Sequence, residues 1–169
     1  MEALEAILTR RSIRKFKAEI ISDEDLKLIL KAGFASPSAH NRMPTEFIVL
    51  KDPEVLENIA QKHKYAKMLP SAGMGIVVCG DNEKQKETGF LVADCSAAIE
   101  NMLICINALG LGAVWCGIYP KEDLVEMVQN ELNIPKNIIP VGLIAVGVKD
   151  EEKPPRNIFD ENRIHFDKW

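Results

Sequence analysis

Two periods of apolar spacing alternate along this chain, and the switches between them outline its elements. Residues 2–9 place Leu4, Ile7 and Leu8 at helical intervals, predicting a short first helix. A second helix is predicted from Ser22 to about Ala35, with Leu26, Ile29 and Leu30 inward. Its first turn carries Asp23, Glu24 and Asp25, acids that suit the positive end of the helix dipole. SPSAHNRMP follows as a loop, and Phe47 to Leu50 reads as a buried strand. Asp52-Pro53 opens a third helix, proline being well placed at the first helical position.

Ile76 to Cys79 predicts a second strand, ending in the turn Gly80-Asp81-Asn82. A long helix is expected from Thr88 to Leu109, closed by Gly110. Its apolar residues leave no clear polar face, which predicts burial on all sides and hence a dimer core, since so small a domain has little to cover it with. Leu111 to Gly117 is a third predicted strand, Pro120 starts another helix, and Val141 to Val148 is a fourth strand. The tail from residue 150 to residue 169 has few core-forming residues before Ile164, His165 and Phe166, so it is expected to extend over a surface, that of a partner subunit included. Residues 1–169 thus read as one layered α+β domain without repeats.

Composition narrows the function classes. The chain is that of an ordinary globular protein, 47% hydrophobic and 27% charged. No signal layout opens it and no apolar run reads as long enough to span a bilayer, so a cytoplasmic location and no membrane partner are expected. A net charge of −4 argues against nucleic acid as the main partner. Cys79, Cys95, Cys105 and Cys116 lie 16, 10 and 11 residues apart in apolar stretches, without CxxC or CxxH pairing. They read as reduced core thiols, and no metal site is expected.

Against that acidic background, Arg10-Arg11-Ser12-Ile13-Arg14-Lys15-Phe16-Lys17 packs five cations into eight residues. If the segment is a strand, positions 10, 12 and 14 share one side, and two guanidinium forks with a hydroxyl would suit a phosphate. A solvated basic loop or an ion-pair patch would have the same composition. Pro37-Ser38-Ala39-His40-Asn41 offers small and polar groups ahead of a strand, as a ligand loop or simply as a turn. Leu109-Gly110-Leu111-Gly112 lacks the third glycine of a dinucleotide fingerprint and sits at the wrong end of a helix. There is no P-loop, HExxH or serine-nucleophile elbow. His40, His63 and His165 read as surface or packing residues, and Lys153 and Arg156 as solvated tail charges or members of a distant anion site.

Taken together and in order, these stretches resemble the nitroreductase family of FMN-dependent flavoproteins. Arg10 to Phe16 is similar to that family's RRSxRxF motif, and Ala35 to Asn41 to its APSxxN loop. Asp94 through Asn101 to Trp115 resembles the long interface helix and the LGLGxxW after it, and Lys153-Pro154-Pro155-Arg156 the basic KxxR of the tail. The resemblance implies a central four- to five-stranded, mostly antiparallel sheet flanked by helices, in an intertwined homodimer with FMN at the subunit interface. It further implies that Arg10, Ser12 and Arg14 hold the FMN phosphate with Arg156 and Lys153, while Arg11 gives a backbone contact or supporting charge. Pro37, Ser38, Ala39 and Asn41 would line the isoalloxazine ring, from the partner subunit. Trp115, Cys116 and Gly117 would lie along its other face with backbone N–H groups toward it, and Lys67, read as just ahead of a strand, near its pyrimidine end.

The implied activity is ping-pong transfer of two electrons from NADH or NADPH to a nitroaromatic, quinone or flavin, with the flavin and no side chain carrying the chemistry. Other readings are a flavin-binding sensor or carrier, and a relative that dehalogenates or fragments flavin. Where the family loop often continues NxQPW, this chain has Asn41-Arg42-Met43-Pro44-Thr45, which alters the expected ring contacts. Its short length predicts an open pocket.

Overall fold

The computed structural model describes residues 1–169. Four strands form one antiparallel sheet: β1 (Thr45–Leu50), β2 (Met74–Asp81), β3 (Gly112–Gly117) and β4 (Ile138–Gly147), in the order β1-β2-β4-β3. The helices are α1 (Ala3–Thr9), α2 (Asp23–Phe34), α3 (Pro53–Lys62), α4 (Leu69–Ala72), α5 (Thr88–Ala108) and α6 (Glu122–Leu132). Ser22 caps α2 through its hydroxyl, which accepts the N–H of Asp25 at 3.0 Å, and Asp52 caps α3 in the same way through Glu54.

Strand alternation divides the core in two. Ile76, Val78, Ile144 and Val146 face α2 and α5, against Ile29, Ile99, Met102 and Ile106. Val77, Cys79, Leu143 and Ala145 face α3, α4 and α6, against Leu56, Ile59, Leu69 and Val128. Because β2 and β4 are buried on both faces, they read as unbroken apolar runs.

Several expectations need correcting. The helix after Pro120 begins at Glu122, and the short α4 was not foreseen, so Lys67 precedes a helix turn and not a strand. At 21 residues α5 does have the length and apolarity to cross a membrane, although much of it is buried in the fold. The sheet, α2 and α1 pack against one side of α5, burying Leu91, Cys95, Ile99, Met102 and Ile106, while Phe90 and Ala93 are exposed and about half of its residues from Leu91 to Ala108 are only half-buried. Apolar surface is left elsewhere, on Leu4, Ile7 and Leu8 of α1 and on Ile158, Phe159, Phe166 and Trp169 of the tail. Every residue from Pro154 onward is exposed.

Candidate functional site

The cationic segment between α1 and α2 is held by its apolar residues. Ile13 and Phe16 are buried, while Ser12 pairs in parallel with Ala113 and Phe16 antiparallel with Lys149. The Ile13 N–H donates to the Ala113 carbonyl at 2.8 Å, and the Lys17 N–H to that of Val148 at 2.9 Å. Gly112 permits this close approach, since a Cβ there would stand 2.8 Å from Ile13 Cγ2. With the apolar residues inward, the cations are left at the surface.

They are not all brought to one point. Arg10, Arg11 and Ser12 line a cavity of about 300 Å³ with Arg156, Ile7, Leu8 and Ile158. Arg14 lines a second cavity, of about 360 Å³, with Lys64, Tyr65, Met68, Val114, Trp115, Cys116 and Gly117. Arg10 and Ser12 share the first cavity and Arg14 turns to the second, because the segment pairs only through single bridges at Ser12 and Phe16 and forms no continuous strand to sustain a two-residue alternation. Arg10 pairs with Glu100 of α5 at 3.1 Å, and Arg11 donates to the Pro154 carbonyl.

Lys153 lines neither cavity. Its ammonium donates to the Ser12 carbonyl at 2.7 Å and pairs with Glu151 at 3.0 Å. Glu151 Oε1 in turn accepts the N–H groups of Arg14 (2.6 Å) and Lys15 (3.2 Å). These bonds, the Arg14 N–H foremost, hold the Glu151 carboxyl below the usual carboxylate range. The tail is thereby stitched to the back of the cationic segment.

The second cavity follows the outer edge of β3, which beyond the bridge to Ser12 pairs only with β4. The Ala113 carbonyl faces outward to Ile13 and that of Gly117 outward to His63, so strand alternation turns the backbone N–H and C=O of Trp115 to the same open edge. The Trp115 indole lies on the opposite sheet face, across Gly142 and toward Ile99, where a Cβ on Gly142 would collide with it. Cys116 is buried, and its S–H donates to the Tyr65 carbonyl at 3.2 Å. Burial pushes this thiol up to about 11 despite the opposing charge of Arg14, which keeps it protonated and unfit as a nucleophile. Lys67 points away, its ammonium donating to the Gln61 carbonyl at 3.2 Å.

Sequence reasoning missed three residues here. His63, read as a surface or packing residue without a partner, is fully buried and donates Nε2–H to the Gly117 carbonyl at 3.0 Å. Its Nδ1 accepts the Tyr65 N–H at 3.3 Å, which fixes the neutral tautomer. Lys64 and Tyr65 line the cavity where Lys67 was expected. Only the basic and aromatic run His63-Lys64-Tyr65 hinted at them.

The loop Pro37–Asn41 stands apart. Pro37, Ser38, Ala39 and Asn41 line neither cavity of this chain, and Ser38 borders a separate one with Phe34 and Met43. His40, Asn41 and Met43 all adopt positive φ, a costly run for non-glycine residues. Asp94 of α5 accepts the Ala39 N–H at 2.8 Å, Ser38 Oγ accepts the Met43 N–H at 2.9 Å, and Arg42 donates to buried Gln85 at 2.7 Å, which holds the loop in this shape. No group of three or more His, Cys, Asp or Glu converges on a metal-binding geometry.

The nitroreductase family profile matches residues 7–64 and 59–148. A protein of Methanothermobacter thermautotrophicus, provisionally named NADH dehydrogenase/NAD(P)H nitroreductase, is 44% identical over 169 residues, covering 100% of this chain and 88% of its own length. A solved structure of a provisionally named NADH dehydrogenase/NAD(P)H nitroreductase from Parabacteroides distasonis superposes with a TM-score of 0.95 at 38% identity, covering 99% and 98% of the two chains. An FMN-dependent nitroreductase of Clostridium difficile gives 0.90 at 30% identity, covering 98% and 99%. The chain belongs to the nitroreductase family.

Proposed function

We propose that this chain is an FMN-dependent oxidoreductase that takes two electrons from NADH or NADPH and passes them, in a ping-pong cycle, to a nitroaromatic, quinone or flavin. The observation that carries this reading is the division of residues 10–14 between two neighbouring cavities. One is cationic, at Arg10, Ser12 and Arg156; the other runs along the open backbone edge of β3. A phosphate suits the first by its donors, and a flat ring with hydrogen-bonding edges suits the second. The FMN dependence of the C. difficile relative supports the same reading.

FMN, when bound, would supply the two-electron redox chemistry that no side chain here carries. The protein's part is placement and charge. Arg10, Ser12 and Arg156 hold the phosphate, with Arg11 nearby and Lys153 acting behind them through the Ser12 carbonyl. Arg14 and Lys64 put positive charge beside the ring, which favours its gaining electrons. The outward backbone of Trp115 offers hydrogen bonds to the ring edge, and Cys116 stays a neutral wall. Protons come from solvent.

The ring site is completed by a second copy of the chain. Pro37, Ser38, Ala39 and Asn41 reach neither cavity of their own chain, and the exposed apolar residues of α1 and the tail give the copies a surface to share. Steady-state NAD(P)H oxidation with added acceptor tests the reading: activity should require FMN and show parallel double-reciprocal lines. Intersecting lines would reject the ping-pong cycle, and absence of turnover the oxidoreductase itself.

A further inference from the structure

The cavity beside β3 carries positive charge that no side chain of this molecule neutralises. Arg14 and Lys64 line it, Lys121 stands over the Tyr65 ring at its rim, and none of the three has a carboxylate within ion-pair distance. Arg10, Lys62 and Lys153, by contrast, are paired, with Glu100, Glu131 and Glu151. In a chain with a net charge of −4, carboxylates are not scarce. Lys121 is also awkwardly placed for stability, as the N-cap residue of α6, where the helix dipole disfavours a cation. Glu122 and Asp123 answer that dipole, yet neither reaches the Lys121 ammonium.

Between these charges stands an aromatic ring on an anchored backbone. Tyr65 is 55% exposed, but its backbone is held at both ends, by His63 through its N–H and by Cys116 through its carbonyl. Lys64 Nζ lies 4.7 Å from the ring centroid and Lys121 Nζ 5.4 Å, both within cation–π range. The FMN phosphate is met elsewhere, at Arg10, Ser12 and Arg156, so Lys121 and the outer ring have no task in holding it. An aromatic surface flanked by ammonium groups without a carboxylate partner matches a planar aromatic ring bearing a negative charge.

We propose that Tyr65, Lys64 and Lys121 form an acceptor subsite that selects aromatic oxidants carrying an anionic group such as a carboxylate. The proposal rests on the flavin reading above and names the substrate class of that same site. For a nitroaromatic acid the first two-electron step balances as ArNO₂ + NAD(P)H + H⁺ → ArNO + NAD(P)⁺ + H₂O, with the charged substituent unchanged and serving only to orient the ring.

The test uses the FMN-loaded enzyme and a matched pair of acceptors, 4-nitrobenzoate and its neutral counterpart 4-nitrobenzamide. The readout is the ratio of their kcat/KM values in wild type, Lys121→Met and Lys121→Arg. The expected result is a ratio that falls about 3- to 10-fold in Lys121→Met, recovers in Lys121→Arg, and declines with added salt in wild type more than in Lys121→Met. An unchanged ratio overturns the proposal. So does a change confined to the KM for NADPH, which would assign Lys121 to the reductant's extra phosphate. If wild type reduces neither acceptor while oxidising no nicotinamide, the flavin reading falls as well; turnover of both acceptors without discrimination leaves that reading standing and rejects only the subsite.

Discussion

His63 and Gly117 are joined by a hydrogen bond of 3.0 Å between a fully buried imidazole Nε2–H and the last carbonyl of β3. The same imidazole accepts the Tyr65 N–H, so one side chain ties the strand edge to the segment that carries Lys64 and Tyr65. Both walls of the second cavity depend on it. His63→Ala leaves a buried carbonyl and N–H without partners and opens a void, and should lower stability by about 2–4 kcal/mol. Thermal unfolding would register this as a fall in Tm of about 5–15 °C for a chain of this size.

The split of the cationic segment makes its residues unequal. Arg10→Ala and Arg156→Ala should each weaken FMN binding about 10- to 100-fold, as loss of a charge-assisted bond of about 1.5–3 kcal/mol implies. Lys15→Ala should change it less than 3-fold, because Lys15 lines neither cavity. Quenching of FMN fluorescence on titration of the apoprotein measures all three.

Glu151 should matter without touching a ligand. Its carboxylate binds the N–H groups of Arg14 and Lys15 and pairs with Lys153, so Glu151→Ala should loosen the cationic segment and the tail together. Its carboxyl is held below the usual range in the fold, so this contribution is present above the unfolded value and fades as pH falls through the folded one. Limited proteolysis should cut the Glu151→Ala tail faster at neutral pH, while wild type approaches the same rate only in acid.

The buried thiols carry the opposite sign. Burial raises Cys79 and Cys95 to about 12 and Cys116 to about 11. The folded state therefore favours the protonated form, and this stability is fully present below an ordinary thiol value of about 8.5–9. Above it, each thiol should remove about 1.4 kcal/mol per pH unit until its folded value is reached. Denaturant unfolding at pH 8, 9 and 10 should show midpoints falling over the last unit, and Cys→Ala variants should flatten the decline.

Much of this molecule is legible in local pattern, and the exceptions share one cause. The capped start of α2 at Ser22, the Pro53 start of α3 and the apolar runs of β2 and β4 are written in short-range spacing. Spacing shows that α5 is apolar all round, but not that α1, α2 and the sheet take one side of it and leave the rest half-buried. The alternation of Arg10, Ser12 and Arg14 assumes strand geometry throughout, whereas the segment pairs only through isolated bridges at Ser12 and Phe16. His63 looks idle in the sequence because its partner Gly117 is 54 residues away. Lys67 reads as just ahead of a strand because α4, only four residues long, leaves no periodic signal.

The sharpest measurement is anaerobic absorbance of the purified, FMN-supplemented protein during addition of NADH or NADPH and then of an acceptor. The flavin's visible band should bleach with about one equivalent of reductant per protomer and return when a nitroaromatic or quinone is added. A protein that retains no pigment, or one that holds it unbleached by either nicotinamide, would contradict the proposed reductase.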